Sequence, residues 1–431
     1  MVELNEVWLV DYKRTAFSRS RPGKEERDVF GEHRADELMG KLLLNMFDDN
    51  DKGITREDID SAIFGCAMGV GENWSYGGRL PLWLAKFPHT TPSYMIDRQC
   101  GSSGTALSNG AMEIMTGYSK VVLCGGHEHL TRVPMDPTRS MALIRPNPHL
   151  LDKESEWYRA KEYEVQTSMM MIQTAQKLYE DEVPNFTKED MDKFGLRSHD
   201  LTIKAQEDGW FKGEIVPVEG HVEGNVEEKI IIDRDMAARK SSLEKIAALN
   251  PVSRPLFLKK NGGRKGYKER EGSRMGVITA GNSSPLNAGA SAAILMDAKE
   301  AQKRGIEPIA RIVSLGWAAV DPSVMGRGPV PASQKALDRA GLKVEDIGVW
   351  EINEAFCIVA LNCIKSLSIP EEDVNIHGGA TAIGHPLGAT MVRLPGTCAR
   401  IMREKKVKYG LANACVGGGQ GVAVLLENLD A

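Results

Sequence analysis

Lys120-Val-Val-Leu-Cys-Gly-Gly126 and Lys408-Tyr-Gly-Leu-Ala-Asn-Ala-Cys-Val-Gly-Gly418 are two stretches of one design. Each opens on a lysine, runs on as a short apolar segment and stops at paired glycines, the pattern of a buried strand closed by a glycine turn. A second matched pair precedes them. Ile54-Thr-Arg-Glu-Asp-Ile59 leads into Ala62-Ile-Phe64 and Gly65, and Leu342-Lys-Val-Glu-Asp-Ile347 leads into Val349-Trp-Glu-Ile352. Both pairs hold equivalent places in the two halves, so the chain reads as a duplicated α/β unit layered on a buried sheet.

Around these runs the expected elements fall into order. Val7–Val10 is a short strand followed by a turn-like Asp11–Phe17, and Asp36–Met46 is a helix with Leu38, Leu42, Leu43 and Met46 on one face. Gly289–Met296 is a further buried strand. Between the halves, from about His127 to Met275, the texture changes to Met-rich and charged helices (Ser168–Tyr179, Lys188–Glu207) and a basic piece, Lys259–Arg270. That piece fits a solvated loop or a contact for a phosphorylated ligand.

Composition narrows the function. The 431 residues are 42% hydrophobic and carry a net charge of −5, so the whole chain offers no electrostatic footprint for nucleic acid. The apolar runs are too short for a membrane span. Met1-Val-Glu-Leu-Asn-Glu runs straight into a strand, and the chain ends Leu429-Asp-Ala431, so no presequence or peroxisomal signal is expected. Seven cysteines, with no CxxC pair, point to reduced thiols in a cytoplasm and to no metal site.

One of those thiols has a special place. Asp97-Arg-Gln-Cys-Gly-Ser-Ser-Gly104 joins an extended run to a helical pattern, which puts Cys100 at a helix start. There the free N–H groups and the macrodipole are expected to lower a thiol's pKa and favour nucleophilic attack. A small buried core cysteine fits the same residues. Three later motifs supply partners: Asn353-Glu-Ala-Phe356 after a strand, Asn375-Ile-His-Gly-Gly-Ala-Thr-Ala-Ile-Gly-His-Pro-Leu-Gly388, and Cys415-Val-Gly-Gly-Gly-Gln-Gly421. His385, held between Gly384 and Pro386, is a candidate base. The Gly417–Gly419 run lets backbone N–H groups approach a ligand oxygen.

Taken in order, Arg98–Ser103, Gly125-Gly-His-Glu-His-Leu-Thr-Arg-Val-Pro-Met135, Thr279–Ser284, Asn353–Phe356, Gly384-His385-Pro386 and Cys415–Gly421 resemble the thiolase family. Within it they are similar to bacterial degradative 3-ketoacyl-CoA thiolases. The resemblance implies an α/β fold of two similar halves stacked as five αβαβα layers. It divides the chain into 1–126 plus 276–297, a loop domain at 127–275 covering coenzyme A, and 298–431. It implies thiolytic cleavage of a 3-ketoacyl-CoA through a Cys100 thioester, with His385 as base and Cys415 as proton carrier. Asn353 (through a water) and His385 would form one oxyanion hole, and the N–H groups of Cys100 and Gly417 the other. Ala280, Ser284 and Phe356 would line the pantetheine channel. Acyl-CoA and CoA are the implied partners, with no further cofactor, in a homodimer or tetramer or with an accessory subunit.

Departures bear on substrate. Met170 stands where biosynthetic relatives usually carry a pocket histidine, and His377 stands where asparagine is common. The Leu258–Arg274 stretch is longer than in most relatives. Alternatives are a biosynthetic acetyl-CoA C-acetyltransferase, a decarboxylating condensing enzyme (which would normally have His at position 415), and a non-catalytic CoA-binding partner.

Overall fold

The computed structural model describes residues 4–133, 147–158, 165–182, 185–253 and 276–431. The Leu258–Arg274 stretch, its basic Lys259–Arg270 piece, and Pro134 and Met135 lie outside the described residues. Nine strands form the main path of one continuous sheet. In the first half these are β1 (Val7–Thr15), β2 (Ser61–Gly65), β3 (Ser93–Ile96), β4 (Val121–His129) and β5 (Asn287–Asp297). In the second they are β6 (Ala310–Ala319), β7 (Ile347–Ile352), β8 (Tyr409–Val416) and β9 (Gln420–Glu427).

The first half runs β3-β2-β4-β5-β1 in space, parallel across β3, β2 and β4 and antiparallel thereafter. The second runs β7-β8-β9-β6, parallel across the first pair and antiparallel across the next two. Val374, bridged in parallel to Trp350, occupies the place of β3. Order and direction therefore match strand for strand. The runs paired in the sequence form equivalent strands, β2 with β7 and β4 with β8. β1 and β6 join the halves through Trp8 opposite Arg311 and Leu9 opposite Ala310.

Seven helices complete the frame: α1 (Ala35–Asp48), α2 (Ser102–Met115), α3 (Met171–Glu182), α4 (Lys188–Glu207), α5 (Pro329–Ala340), α6 (Cys357–Leu367) and α7 (Thr390–Lys405). Successive strand residues face opposite sides, so alternation assigns each strand to two layers. In β4, Val121 and Leu123 pack towards α1, whereas Val122 and Cys124 pack towards α2. In β8, Ala412, Ala414 and Val416 meet the α2–α7 layer, and Leu411 and Cys415 face α5 and α6. The result is α1, sheet, α2 with α7, sheet, α5 with α6: five layers. The central helices approach closely because Gly104 faces Met391, whose Cβ would lie 2.9 Å from a β-carbon added there.

Two details differ from the expected elements. β1 extends to Thr15 through the polar Asp11-Tyr-Lys-Arg stretch, because a bulge between Leu9 and Asp11 resets its register on β5. β4 likewise continues to His129, past Gly126. The first extension needs a buried guanidinium. Arg14 is fully buried, its Nε 2.7 Å from Glu214 Oε1 and its Nη1 2.7 Å from Asp235 Oδ1, so it ties the interposed segment to the sheet. Ser198 of α4 adds a tie to the second half, donating to Glu354 Oε2 at 2.7 Å. Among the described residues, no helix is long and apolar enough to cross a membrane.

Arg14 sets a stability test. Burial alone would push the Glu214 carboxyl up, but the Arg14 and Arg400 guanidiniums together hold it below its usual value. Its contribution is therefore present at neutral pH and lost as pH falls through that depressed value. Arg14→Met leaves Glu214 and Asp235 buried with one cation fewer, and is expected to cost about 3–5 kcal/mol in denaturant unfolding at pH 7. The gap from wild type should narrow as pH falls through the depressed Glu214 value and that carboxyl takes up a proton.

Candidate active site

β3 ends at Ile96, and a tight turn, Gln99–Gly101, precedes α2. Gln99 holds a left-handed φ of +46°, costly for a residue with a β-carbon and common at functional turns. Asp97 Oδ1 steadies it, accepting from Gln99 N at 2.9 Å, and Gln99 Nε2 reaches Ala67 O at 3.4 Å. The turn places Cys100 just ahead of the helix, 5% exposed. Here the expectation from the helix terminus fails. Burial pushes the Cys100 thiol up to about 12, outweighing the N–H groups of Gly417 and of Cys100 itself, which favour the thiolate. The sulfur is a protonated thiol at neutral pH.

Those two N–H groups are the pair that the family resemblance implies as an oxyanion hole, and both bear on the Cys100 sulfur. Gly417 begins the turn between β8 and β9, where Gly418 and Gly419 take φ values of +81° and +78°. Only glycine adopts such a run at little cost. Cys415 is fully buried near the end of β8; burial is what chiefly raises its thiol, and Cys100 comes next. The Cys100 turn packs against the same strand end, since a β-carbon on Gly101 would lie 2.8 Å from Val416 Cγ2.

The imidazole arrives from the second half. Gly384 has φ +114°, and a β-carbon there would lie 2.6 Å from Asn287 Nδ2. Asn287 Oδ1 then accepts from His385 N at 2.8 Å, fixing the turn. His385 Nδ1 lies 2.7 Å from Thr390 Oγ1, whose own proton goes to Pro386 O at 2.9 Å. The hydroxyl therefore accepts from Nδ1–H and leaves Nε2 as the unprotonated, accepting nitrogen of the ring. Asn353 Nδ2 lies 3.3 Å from that Nε2, while Asn353 Oδ1 is buried and meets no donor among the described residues. Burial, reinforced by Arg393, pushes His385 down to about 3. Thiol and imidazole are both neutral.

Cys100 and Leu387 of the His385 turn share one small apolar cluster with Ala67, Met68, Leu130 and Val133. Cys100, Cys415, Gly417, His385 and Asn353 are thus brought to one region. Phe356 is buried and bridged to Ser283, Ser284 donates to Ala355 O at 3.1 Å, and exposed Ala280 accepts from Arg239 at 3.1 Å. Met170 is 54% exposed; Met171 is the methionine whose sulfur approaches Gly417, 3.5 Å from where a β-carbon would sit. His377 lies outside this region, stacked on Trp210 at 4.2 Å and 2.8 Å from Glu404 Oε2. Thr390, Asn287 and Met171 escaped the reading of the sequence. Asn287 and Thr390 act through a turn 98 and 5 residues away along the chain.

Two family descriptions match the chain: the thiolase N-terminal domain over residues 7–263 and the thiolase C-terminal domain over residues 306–428. A 3-ketoacyl-CoA thiolase of Marinobacter nauticus is 38% identical over 427 residues, 98% of either chain. Another, from a Marinomonas species, is 36% identical over 430 residues, 99% of either chain. Among solved structures, the Bacillus anthracis acetyl-CoA acetyltransferase superposes with a TM-score of 0.79 at 29% identity, over 99% of this chain and 100% of that one. Human mitochondrial 3-ketoacyl-CoA thiolase gives 0.79 at 30% identity with the same coverage.

The neutral pair has a measurable consequence. Alkylation of Cys100 by iodoacetamide should keep rising with pH from 6 to 10, as expected of a thiol near 12. A plateau reached by pH 7 would reveal a preformed thiolate–imidazolium pair and contradict the neutral assignment.

Proposed function

The chain belongs to the thiolase family, and on that premise we propose that it cleaves 3-ketoacyl-CoA to acetyl-CoA and a shortened acyl-CoA. The Cys100 sulfur attacks the 3-keto carbonyl as its proton passes to His385 Nε2. Concerted transfer suits the pair, since neither charged form is stable alone in so buried a site. The C2–C3 bond breaks, the acyl group stays on Cys100, and the acetyl-CoA enolate takes its proton from Cys415. CoA thiol then gives its proton to Cys415 and its sulfur to the acyl group, and Cys100 recovers the proton from His385. Atoms and charges balance with CoA as a substrate, and no step calls for a cofactor.

The observation that carries this reading is the Asn353–His385 contact at 3.3 Å, with an unpartnered Asn353 Oδ1 behind it. That oxygen can hold a water which, with the imidazole, donates to the enolate oxygen. The N–H groups of Cys100 and Gly417 serve the tetrahedral intermediates; in comparable sites one such donor is worth about 3–4 kcal/mol. In this account the described residues between β4 and β5 cover CoA, and Ala280, Ser284 and Phe356 border pantetheine. The degradative direction rests on the names of the two curated relatives and on Met170 where a biosynthetic pocket histidine would stand. A cytoplasmic homodimer or tetramer acting in fatty-acid β-oxidation, with or without an accessory subunit, is the matching assembly.

Thiolysis assays decide the matter. The wild-type chain should cleave a longer 3-ketoacyl-CoA faster than acetoacetyl-CoA, and Cys100→Ala should abolish both activities. Cys415→Ala should block cleavage while acyl exchange onto Cys100 survives. A wild-type chain that cleaves neither substrate, or cleavage that survives Cys100→Ala, contradicts the proposal.

A further inference from the structure

Glu128 is a buried charge that the steps above leave unused. It sits on β4, fully buried, with its carboxylate on the side facing the central layer. Five donors converge on it. Oε2 accepts from Ala67 N at 2.9 Å and Gly388 N at 3.0 Å. Oε1 accepts from Met68 N at 3.1 Å, Asn73 Nδ2 at 2.8 Å and Cys66 Sγ at 3.3 Å. Four of these come from the loop after β2, in the first half. The fifth, Gly388, belongs to the second half and closes the turn that carries His385.

Each arm leads to a reacting group. Gln99 Nε2 reaches Ala67 O, which links the Cys100 turn to the loop held by Glu128. Gly388 lies three residues beyond His385 and is pressed against the first half. A β-carbon there would sit 2.3 Å from His127 O and 2.7 Å from Gly65 O. Gly388 thus meets the backbone of the first half directly, and the carboxylate that binds both Ala67 N and Gly388 N is a polar anchor common to the two turns.

We infer that Glu128 is a positioning residue that sets the spacing between the Cys100 sulfur and the His385 imidazole. The inference rests on the thiolase reading for its consequence in turnover, but its geometry does not depend on substrate. Glutamate is required because both oxygens face donors. An amide in its place turns an N–H group towards at least two other donors, whichever way it flips. Charge alone predicts something else. Glu128 also raises the Cys100 thiol through its negative charge, so a purely electrostatic role would make the thiol more reactive once that charge is removed.

The test compares Glu128→Gln with wild type at pH 8, above the value of about 7 to which burial pushes this carboxyl. Iodoacetamide alkylation of Cys100 is followed by peptide mass spectrometry, alongside thermal melting and steady-state thiolysis. The expected result is alkylation slowed about fivefold or more and kcat lowered at least about tenfold, with KM for CoA within about threefold. Alkylation of the folded variant as fast as wild type, or faster, overturns the inference. If Glu128→Gln does not fold, Asn73→Ala removes one donor and keeps the carboxylate. It should then slow alkylation about threefold, and a wild-type rate overturns the inference equally. Alkylation needs no substrate, so a wild-type chain inactive in thiolysis would refute the functional reading while these rates still decide this one.

Discussion

Gly126 and Gly388 belong to opposite halves and meet without a side chain between them. A β-carbon on Gly126 would lie 2.0 Å from Gly388 O, deep inside van der Waals contact. This backbone-to-backbone approach brings a turn from the second half against strand β4 of the first. Much of the fold serves that approach. The matched sheets flank one shared layer of two helices, α2 crosses α7 at Gly104, and the strand pair β1–β6 joins the halves at their far edge. Cys100 enters from the front of α2 and His385 from just before α7, so the packing of those helices is also the packing of the two groups.

What the arrangement does chemically follows from burial. Solvent is largely excluded from the Cys100 sulfur, the His385 ring and the Cys415 sulfur, and each is pushed towards its neutral form. A neutral thiol beside a neutral imidazole avoids the cost of a standing ion pair in a low-dielectric site. Charge need develop only with substrate present, where oriented donors can meet it: backbone N–H groups at the sulfur and an asparagine beside the imidazole. The strained Gln99 and the left-handed Gly384 are the local costs of aiming those groups. Asp97 and Asn287 hydrogen-bond the backbone of Gln99 and His385 and hold both turns in place.

Much of this was legible in the sequence where the signal was local or repeated. The echo of Ile54–Phe64 in Leu342–Ile352, and of Lys120–Gly126 in Lys408–Gly418, marked strands that are structurally equivalent. The glycine-rich turns around His385 and Gly417 were visible for the same reason, since few other residues tolerate those backbones. The polar scaffolding was harder to see. Glu128 draws its donors from positions 55 to 62 and 260 residues away, so no window of sequence displays the hub. Arg14 looked like part of a turn because its two carboxylate partners lie 200 and 221 residues downstream. The Cys100 thiol was misjudged for a related reason. A helix start is a local feature and favours the thiolate, whereas the burial that overrides it comes from the whole assembly.

The central claim is that these remote segments make one acyl-accepting site with Cys100 as its nucleophile. Intact-mass spectrometry after mixing the protein with acetyl-CoA and no acyl acceptor tests it most directly. The account predicts a single acetyl group, mapped to the peptide that contains Cys100 and discharged when free CoA is added. An unmodified protein, or acetyl on Cys415 or another cysteine in place of Cys100, would contradict it.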